Sequence, residues 1–198
     1  MAKDSLAWFF AGLIALLAGL PLAYLYWPAP GDEVARSASD IGGAFKLTDH
    51  TGRTVTEETF AGEWTLVFFG FTHCPDICPT TLADISRTLQ LLGERSGRVQ
   101  PLFVTLDPQR DTPEVLAAYT AFFDERILAL TGSEEDIAVM ANAYGVYFER
   151  VPSGDTYFIN HGTSIYLMDP DGQLAARFSR RDDSQSMARQ ITTTIDQG

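Results

Sequence analysis

The chain has 198 residues, 14 of them basic and 26 acidic, for a formal net charge of −12. That balance excludes a nucleic-acid binder, which needs a basic patch to meet phosphates, and favours a partner with a basic face. Only two cysteines are present, and a single disulfide closing so short a loop would do little for folding, which points to chemistry over scaffolding.

The first element is an apolar run. From Leu6 to Trp27 there is no charged residue, and about 22 residues are enough to cross a hydrocarbon core of ~30 Å as a helix. Pro21 would kink such a helix without excluding it. Trp8, Tyr24, Tyr26 and Trp27 stand at its ends, where interfacial aromatics belong. Lys3 precedes the run while Asp32 and Glu33 follow it, so the positive-inside bias puts the bulk of the chain outside the cytoplasm. The run exceeds the ~7–15 apolar residues of a cleaved signal peptide, and Pro28 and Pro30 flank Ala29 where a cleavage signal would fall. It is not an Arg-rich transit peptide, which favours a bacterial envelope. Residues 1–27 are therefore expected to be a single-pass signal anchor in a bacterial inner membrane, with the remainder facing the periplasm. Residues 28–43, rich in Pro, Gly, Ser and Ala, read as a flexible linker. Residues 44–198, about 155 in number, suffice for one domain and not for two.

Within the domain the elements alternate. Ala44 to Thr48, the turn Asp49-His50-Thr51-Gly52, and Arg53 to Val55 read as a hairpin. Trp64 to Phe71 is near-continuously apolar, the pattern of a strand buried on both faces. Leu82, Ile85, Leu89 and Leu92 give Thr80 to Leu92 helical spacing. Val99 to Leu106 is a second apolar strand; Thr112-Pro113-Glu114 then caps a helix expected to run to Phe122-Phe123. A short strand at 127–130, a helix over 134–144, strand pieces at 157–159 and 164–168, a turn at Asp169-Pro170-Asp171-Gly172 into 174–178, and a helix over 184–195 complete the series. This order is that of an α/β, thioredoxin-like fold.

The cysteines open the first crossover helix, in Phe71-Thr72-His73-Cys74-Pro75-Asp76-Ile77-Cys78-Pro79. In a helix, residues four apart share a face about 5–6 Å apart, suited to a shared soft metal ion and also near disulfide reach. Amides at a helix start favour the thiolate, the form that binds metal or attacks disulfides. The prolines, Asp76 and His73 around both sulfurs predict an exposed site.

Three segments carry a resemblance: Phe71 to Pro79, Asp107-Pro108-Gln109-Arg110-Asp111-Thr112-Pro113, and Asn160-His161-Gly162 followed by Tyr166 to Gly172. Together they resemble the hallmarks of the SCO/SenC/PrrC family of copper-binding cytochrome oxidase assembly proteins, over the whole domain from Phe45 onward. The resemblance implies a thioredoxin-like domain holding one copper ion through Cys74, Cys78 and His161. It also implies a role in loading the dinuclear copper centre of cytochrome c oxidase subunit II, with other periplasmic copper chaperones or thioredoxin-like reductants as further partners. Asn160 stands where members often carry Asp, and Gly162 where they often carry Ser or Thr. Neither change removes a ligand, but both alter what can orient the histidine.

The chemistry agrees with that ligand set. Two thiolates select Cu(I), and an imidazole lets the same site hold Cu(II). Three donors leave an open side, unlike a closed four-ligand structural zinc site. The rival from another class is a thiol–disulfide oxidoreductase with Cys74 as nucleophile and Cys78 resolving the mixed disulfide. Ordinary thioredoxin-type enzymes space their cysteines by two residues rather than three, and this reading leaves His161 without a task. A peroxidase of the same fold fits less well, since Phe71 and Val67 stand at its motif positions. His73 points elsewhere on a helix than Cys74 and is expected to be a pH-sensitive neighbour of the thiolates more than a ligand. His50 is expected to be a solvated loop residue, and Met140 and Met168 to pack in the core. Asp107, Arg110 and Asp111 are expected to order their loop by an ion pair or to form a docking surface. The residues alone do not choose between copper delivery, thiol reduction and redox signalling.

Overall fold

The computed structural model describes residues 41–197; the expected signal anchor and the linker as far as residue 40 lie outside the described residues. Among the described residues no helix is long and apolar enough to cross a membrane. In chain order the elements are β1 (Lys46–Asp49), β2 (Thr54–Thr56), β3 (Trp64–Gly70), α1 (Ile77–Leu92), β4 (Val99–Thr105), α2 (Pro113–Thr120), β5 (Leu128–Thr131), α3 (Glu134–Ala143), β6 (Phe148–Ser153), β7 (Thr156–His161), β8 (Ile165–Met168), β9 (Leu174–Phe178) and α4 (Ser184–Gln197).

Seven strands form one sheet in the order β2-β1-β5-β4-β3-β8-β9, while β6 and β7 form a separate two-stranded ribbon. The central strands β3, β4 and β5 run parallel, and β8 returns antiparallel to β3. Parallel neighbours joined through helices, followed by the β8–β9 hairpin and α4, make the thioredoxin-like arrangement that the element order predicts. β3 is buried at every position, which explains its unbroken apolar run, and each large side chain fully buried there contributes about 1.5–3 kcal/mol. Helix α1 buries Leu82, Ile85, Leu89 and Leu92. It packs against α4, whose Met187, Ile191 and Ile195 are likewise buried. Met140 and Met168 lie in the core as expected. At the turn into β9, Asp169 accepts from the Gly172 amide, and Gly172 adopts φ 75°, a conformation that favours glycine.

Gly70 pairs with Thr105 across the β3–β4 ladder. The cysteine loop and the Asp107–Asp111 loop therefore leave the sheet side by side, at the carboxyl ends of parallel strands where α/β folds build their sites.

Four local expectations are revised. Helix α1 begins at Ile77, ahead of Thr80. Pro79 is tolerated there because first-turn amides have no helical acceptor to lose. Helix α2 stops at Thr120, short of Phe123. Strand β6 was not apparent in the sequence. His50 does lie in the turn and is partly exposed, but it is not simply solvated: its amide donates to the Ala129 carbonyl at 2.9 Å, and its Nδ1 accepts from the Ala129 amide at 3.1 Å. It thus extends the β1–β5 pairing by one residue.

Candidate metal centre

Cys74 and Cys78 are both thiols, not a disulfide, and they occupy different surroundings. Cys78 lies in the first turn of α1 and is fully buried. Cys74 sits in the turn before the helix and is half-buried, so the two do not share a helical face. Instead the Cys74 sulfur accepts from the Cys78 amide at 3.4 Å, acting as a cap on the helix start. Room for the Cys78 sulfur comes from Gly70: a Cβ there would stand 2.9 Å from Cys78 Sγ and 2.9 Å from Phe103 Cε2.

The expected preference for thiolate is reversed at Cys78. Burial pushes its thiol well up, and the Phe71 backbone hydrogen bond that opposes this is outweighed. Its position at a helix start is thus overridden by desolvation, and the exposed site foreseen from the flanking residues is buried on this side.

His161 is the last residue of β7. Its Nε2 lies 4.0 Å from Cys78 Sγ across 83 positions of sequence. Nδ1 lies 2.7 Å from the Gly162 carbonyl; a carbonyl can only accept, so Nδ1 carries the proton and Nε2 presents a lone pair to the sulfur. Burial lowers the imidazole's pKa, with the Gly162 bond opposing, and keeps the ring neutral. Phe71 packs edge-on against the ring at 5.8 Å. The Gly162 carbonyl thus orients the ring. A metal–sulfur bond of about 2.3 Å and a metal–nitrogen bond of about 2.0 Å would bridge such a gap. As placed, however, no three His, Cys, Asp or Glu side chains among the described residues form a group arranged to hold a metal ion. What fits copper is the chemistry of the donors: two sulfurs and one correctly protonated imidazole.

The second motif supports the centre in two ways. Asp111 is buried and accepts from the Thr72 amide at 3.0 Å, the Thr72 hydroxyl at 2.5 Å and the Thr105 hydroxyl at 2.6 Å. It pins the start of the cysteine loop to the end of β4. His73, next to it, is half exposed, with Nδ1 3.1 Å from the Thr72 hydroxyl and 3.9 Å from Asp111 Oδ1; it joins this anchor rather than turning to the sulfurs. Asp107 is also buried and pairs with Arg110 through a close Nε contact. It accepts from the Tyr157 hydroxyl at 2.7 Å. The Arg110 guanidinium stacks on the Tyr157 ring at 3.9 Å and donates to the Tyr157 carbonyl at 3.3 Å. This clamp fixes β7, and therefore His161, to the β4–α2 loop. The ion-pair expectation holds for Asp107 and Arg110, while Asp111 serves a different partner. Gly70, Thr72, Thr105 and Tyr157 were not foreseen as site residues; for Gly70 the one sequence signal was a glycine ending an apolar strand.

A model of the SCO1/SenC family matches residues 33–196. The chain is 41% identical over 167 residues to the protein SCO2 homolog, mitochondrial, of Bos taurus, covering 82% of this chain and 61% of that protein. It is 41% identical over 156 residues to protein sco1 of Schizosaccharomyces pombe, covering 76% and 59% respectively. The chain thus spans about three-fifths of the length of these curated relatives. Arabidopsis thaliana ScoI with copper bound superposes at a TM-score of 0.76 with 36% identity, over 80% of this chain and 99% of that one. Bradyrhizobium japonicum ScoI with copper bound does so at 0.73 with 39% identity, over 78% and 99%.

Proposed function

Since the chain belongs to the SCO1/SenC family, we propose that it is a copper metallochaperone. Cys74 Sγ, Cys78 Sγ and His161 Nε2 hold one ion, as Cu(I) or Cu(II), for delivery to the dinuclear copper centre of cytochrome c oxidase subunit II. The observation that carries this reading is the approach of His161 Nε2 to Cys78 at 4.0 Å, in the tautomer that leaves a nitrogen lone pair available. Solved relatives that hold copper support it. Copper binding displaces the thiol proton of Cys78, so uptake is coupled to proton release. Residues 6–27 anchor the chain in a bacterial inner membrane, and residues 28–43 let the domain search the periplasmic surface for its acceptor. Other periplasmic copper chaperones supply the ion.

The test is metal titration of the reduced full chain. Approximately one copper per chain is expected, with sulfur-to-copper charge-transfer absorption for Cu(II). Cys74→Ala, Cys78→Ala and His161→Ala should each weaken binding by more than about 100-fold, because even residues that merely support a ligand are worth 10–100-fold. His73→Ala should change it far less. If His161→Ala binds both ions like the parent, the copper site is a dithiol alone and this reading fails.

One observation favours a second reading, thiol–disulfide exchange: Cys74 is half-buried and Cys78 fully buried, the division of an attacking and a resolving thiol. Cys74 thiolate would attack a target disulfide and release one target thiolate. Cys78 would then displace the second, leaving a Cys74–Cys78 disulfide and a target reduced by two electrons. The target class is an envelope protein whose copper-ligand cysteines must be reduced before they take metal. His161→Ala would leave this exchange intact, which separates the two readings.

A further inference from the structure

At the amino end of β3, beside the Thr65–Met168 pair, a cavity of about 480 Å³ opens, the size of a ligand pocket. Its floor includes Phe45 and Phe60, both buried and stacked at 6.3 Å. Five carboxylate residues and no basic one line it. Two of them serve the fold: Glu57 accepts from the Phe45 amide at 2.9 Å, and Asp169 from the Asp171 and Gln173 amides at 3.0 and 2.8 Å. The side chains of Glu58, Glu63 and Asp171 make no hydrogen bond or ion pair among the described residues. The described chain also begins on this cavity, with Ile41 and Gly42 in its wall. The Gly42 amide donates to the Ala143 carbonyl at 3.1 Å, and a Cβ at this residue would stand 2.8 Å from the Gly172 carbonyl oxygen. With Gly42 at φ 109° and Gly43 at φ 141°, conformations that favour glycine, the chain makes a fixed bend at the cavity mouth.

We propose that residues 36–40 form a strap across this cavity, with Arg36 as its latch among Glu58, Glu63 and Asp171. Arg36 is the only basic residue between Lys3 and Lys46. The extended chain from it to Ile41 reaches about 17 Å, enough to fold back over the cavity that Ile41 borders. An arginine suits both parts of the lining: its methylene stem covers apolar surface, and its guanidinium meets aromatic faces and carboxylates at once. Carboxylates gathered at one mouth with no cation among them repel one another, and a cation seated there removes that repulsion. The SCO1/SenC match begins at residue 33, so the segment counts with the domain. Seated, the strap turns the last part of the expected linker into a piece of the domain. It also fixes where the chain leaves the domain, at the opposite end of β3 from Gly70, against which Cys78 Sγ lies.

The experiment measures hydrogen exchange of the amides of residues 36–40 by mass spectrometry in the metal-free full chain, with a free peptide of the same residues as the unprotected reference. Exchange about tenfold or more slower than in the peptide is expected. Arg36→Glu should speed it by about fivefold, the upper worth of an exposed ion pair. The double change Glu58→Lys and Glu63→Lys should do the same, and because both side chains are exposed the fold is left intact. Combining all three reversals should restore protection. A parent that exchanges like the peptide overturns the proposal, as does protection that ignores both sets of reversals. Protection that fades on dilution gives the cavity to the strap of a second copy and overturns it too. Copper plays no part in this measurement, so failed copper uptake counts against the proposed function alone and an unprotected strap against this inference alone.

Discussion

Cys78 can lie against the sheet because residue 70 has no side chain. Gly70→Ala would place a methyl 2.9 Å from both the sulfur and the edge of Phe103, and neither neighbour is free to retreat, since both are fully buried. Overpacking of this kind typically destabilises by about 1–3 kcal/mol. Gly70→Ala should therefore lower both the denaturation midpoint and the Cu(I) affinity, measured by chelator competition. Gly97→Ala, where a Cβ meets nothing within 4 Å, should lower neither. At this scale the candidate donors Cys74, Cys78 and His161 stood out in the sequence by their chemistry and the motifs around them, and the fold brings Cys78 and His161 within 4.0 Å of each other. Their environments did not stand out. A position at a helix start argued for thiolate at Cys78, and only the folded packing reveals that burial wins. Gly70 read as an ordinary strand end, because what it faces comes from other segments.

The elements repeat that lesson with the β6–β7 ribbon. Strand β7 was visible as a short apolar piece, whereas β6 carries Glu149, Arg150 and Pro152, which break the alternation of a strand. Pairing with β7 over all six residues supplies the order that propensity does not, and proline is tolerated in such an edge. The ribbon stands apart from the main sheet, so its position depends on side-chain ties: the Asp107–Arg110–Tyr157 clamp, the Arg150–Glu134 pair at 2.7 Å and the buried Ile159. Arg110→Ala removes the guanidinium stacked closest on Tyr157 and the nearer of two charges facing buried Asp107, leaving Arg150 at 3.9 Å. Breaking a buried pair from one side costs about 3–5 kcal/mol. The expected outcome is a loss of that order in denaturant stability, faster hydrogen exchange of the β7 amides, and weaker copper binding through a displaced His161. Tyr157→Phe, which keeps the ring under Arg110 and loses only the bond to Asp107, should show the same effects in milder form.

For the whole molecule, the alternation of strands and helices along the chain followed from alternating apolar runs, while the order of the strands in the sheet is set by pairings between distant segments. A sequence isoelectric point near 4.5 leaves the chain strongly anionic at neutral pH, with carboxylates that folding treats unequally. Burial raises the pKa of Asp49, but hydrogen bonds from Thr51 and Arg53 outweigh it and bring it down from 3.8 to about 2. The folded value lies below the unfolded one. Its stabilisation is therefore complete above about pH 4 and is lost as the pH falls from about 4 to about 2. Asp49→Asn should cost about 2 kcal/mol at pH 7 and flatten that part of the acid unfolding curve, as read from denaturant midpoints between pH 7 and 2.

The sealing of Cys78 in the core, with Cys74 and His161 reaching the surface, gives the centre an inside and an outside. For a bound ion this asymmetry would impose an order on exchange. An incoming donor from an acceptor protein meets Cys74 or His161 first, and Cys78, which no outside group can approach, lets go last. The ion then never enters solution, because some sulfur of the old host or the new grips it at every stage. Transfer should accordingly be second order, its rate rising with acceptor concentration, while spontaneous escape in the absence of an acceptor stays slow.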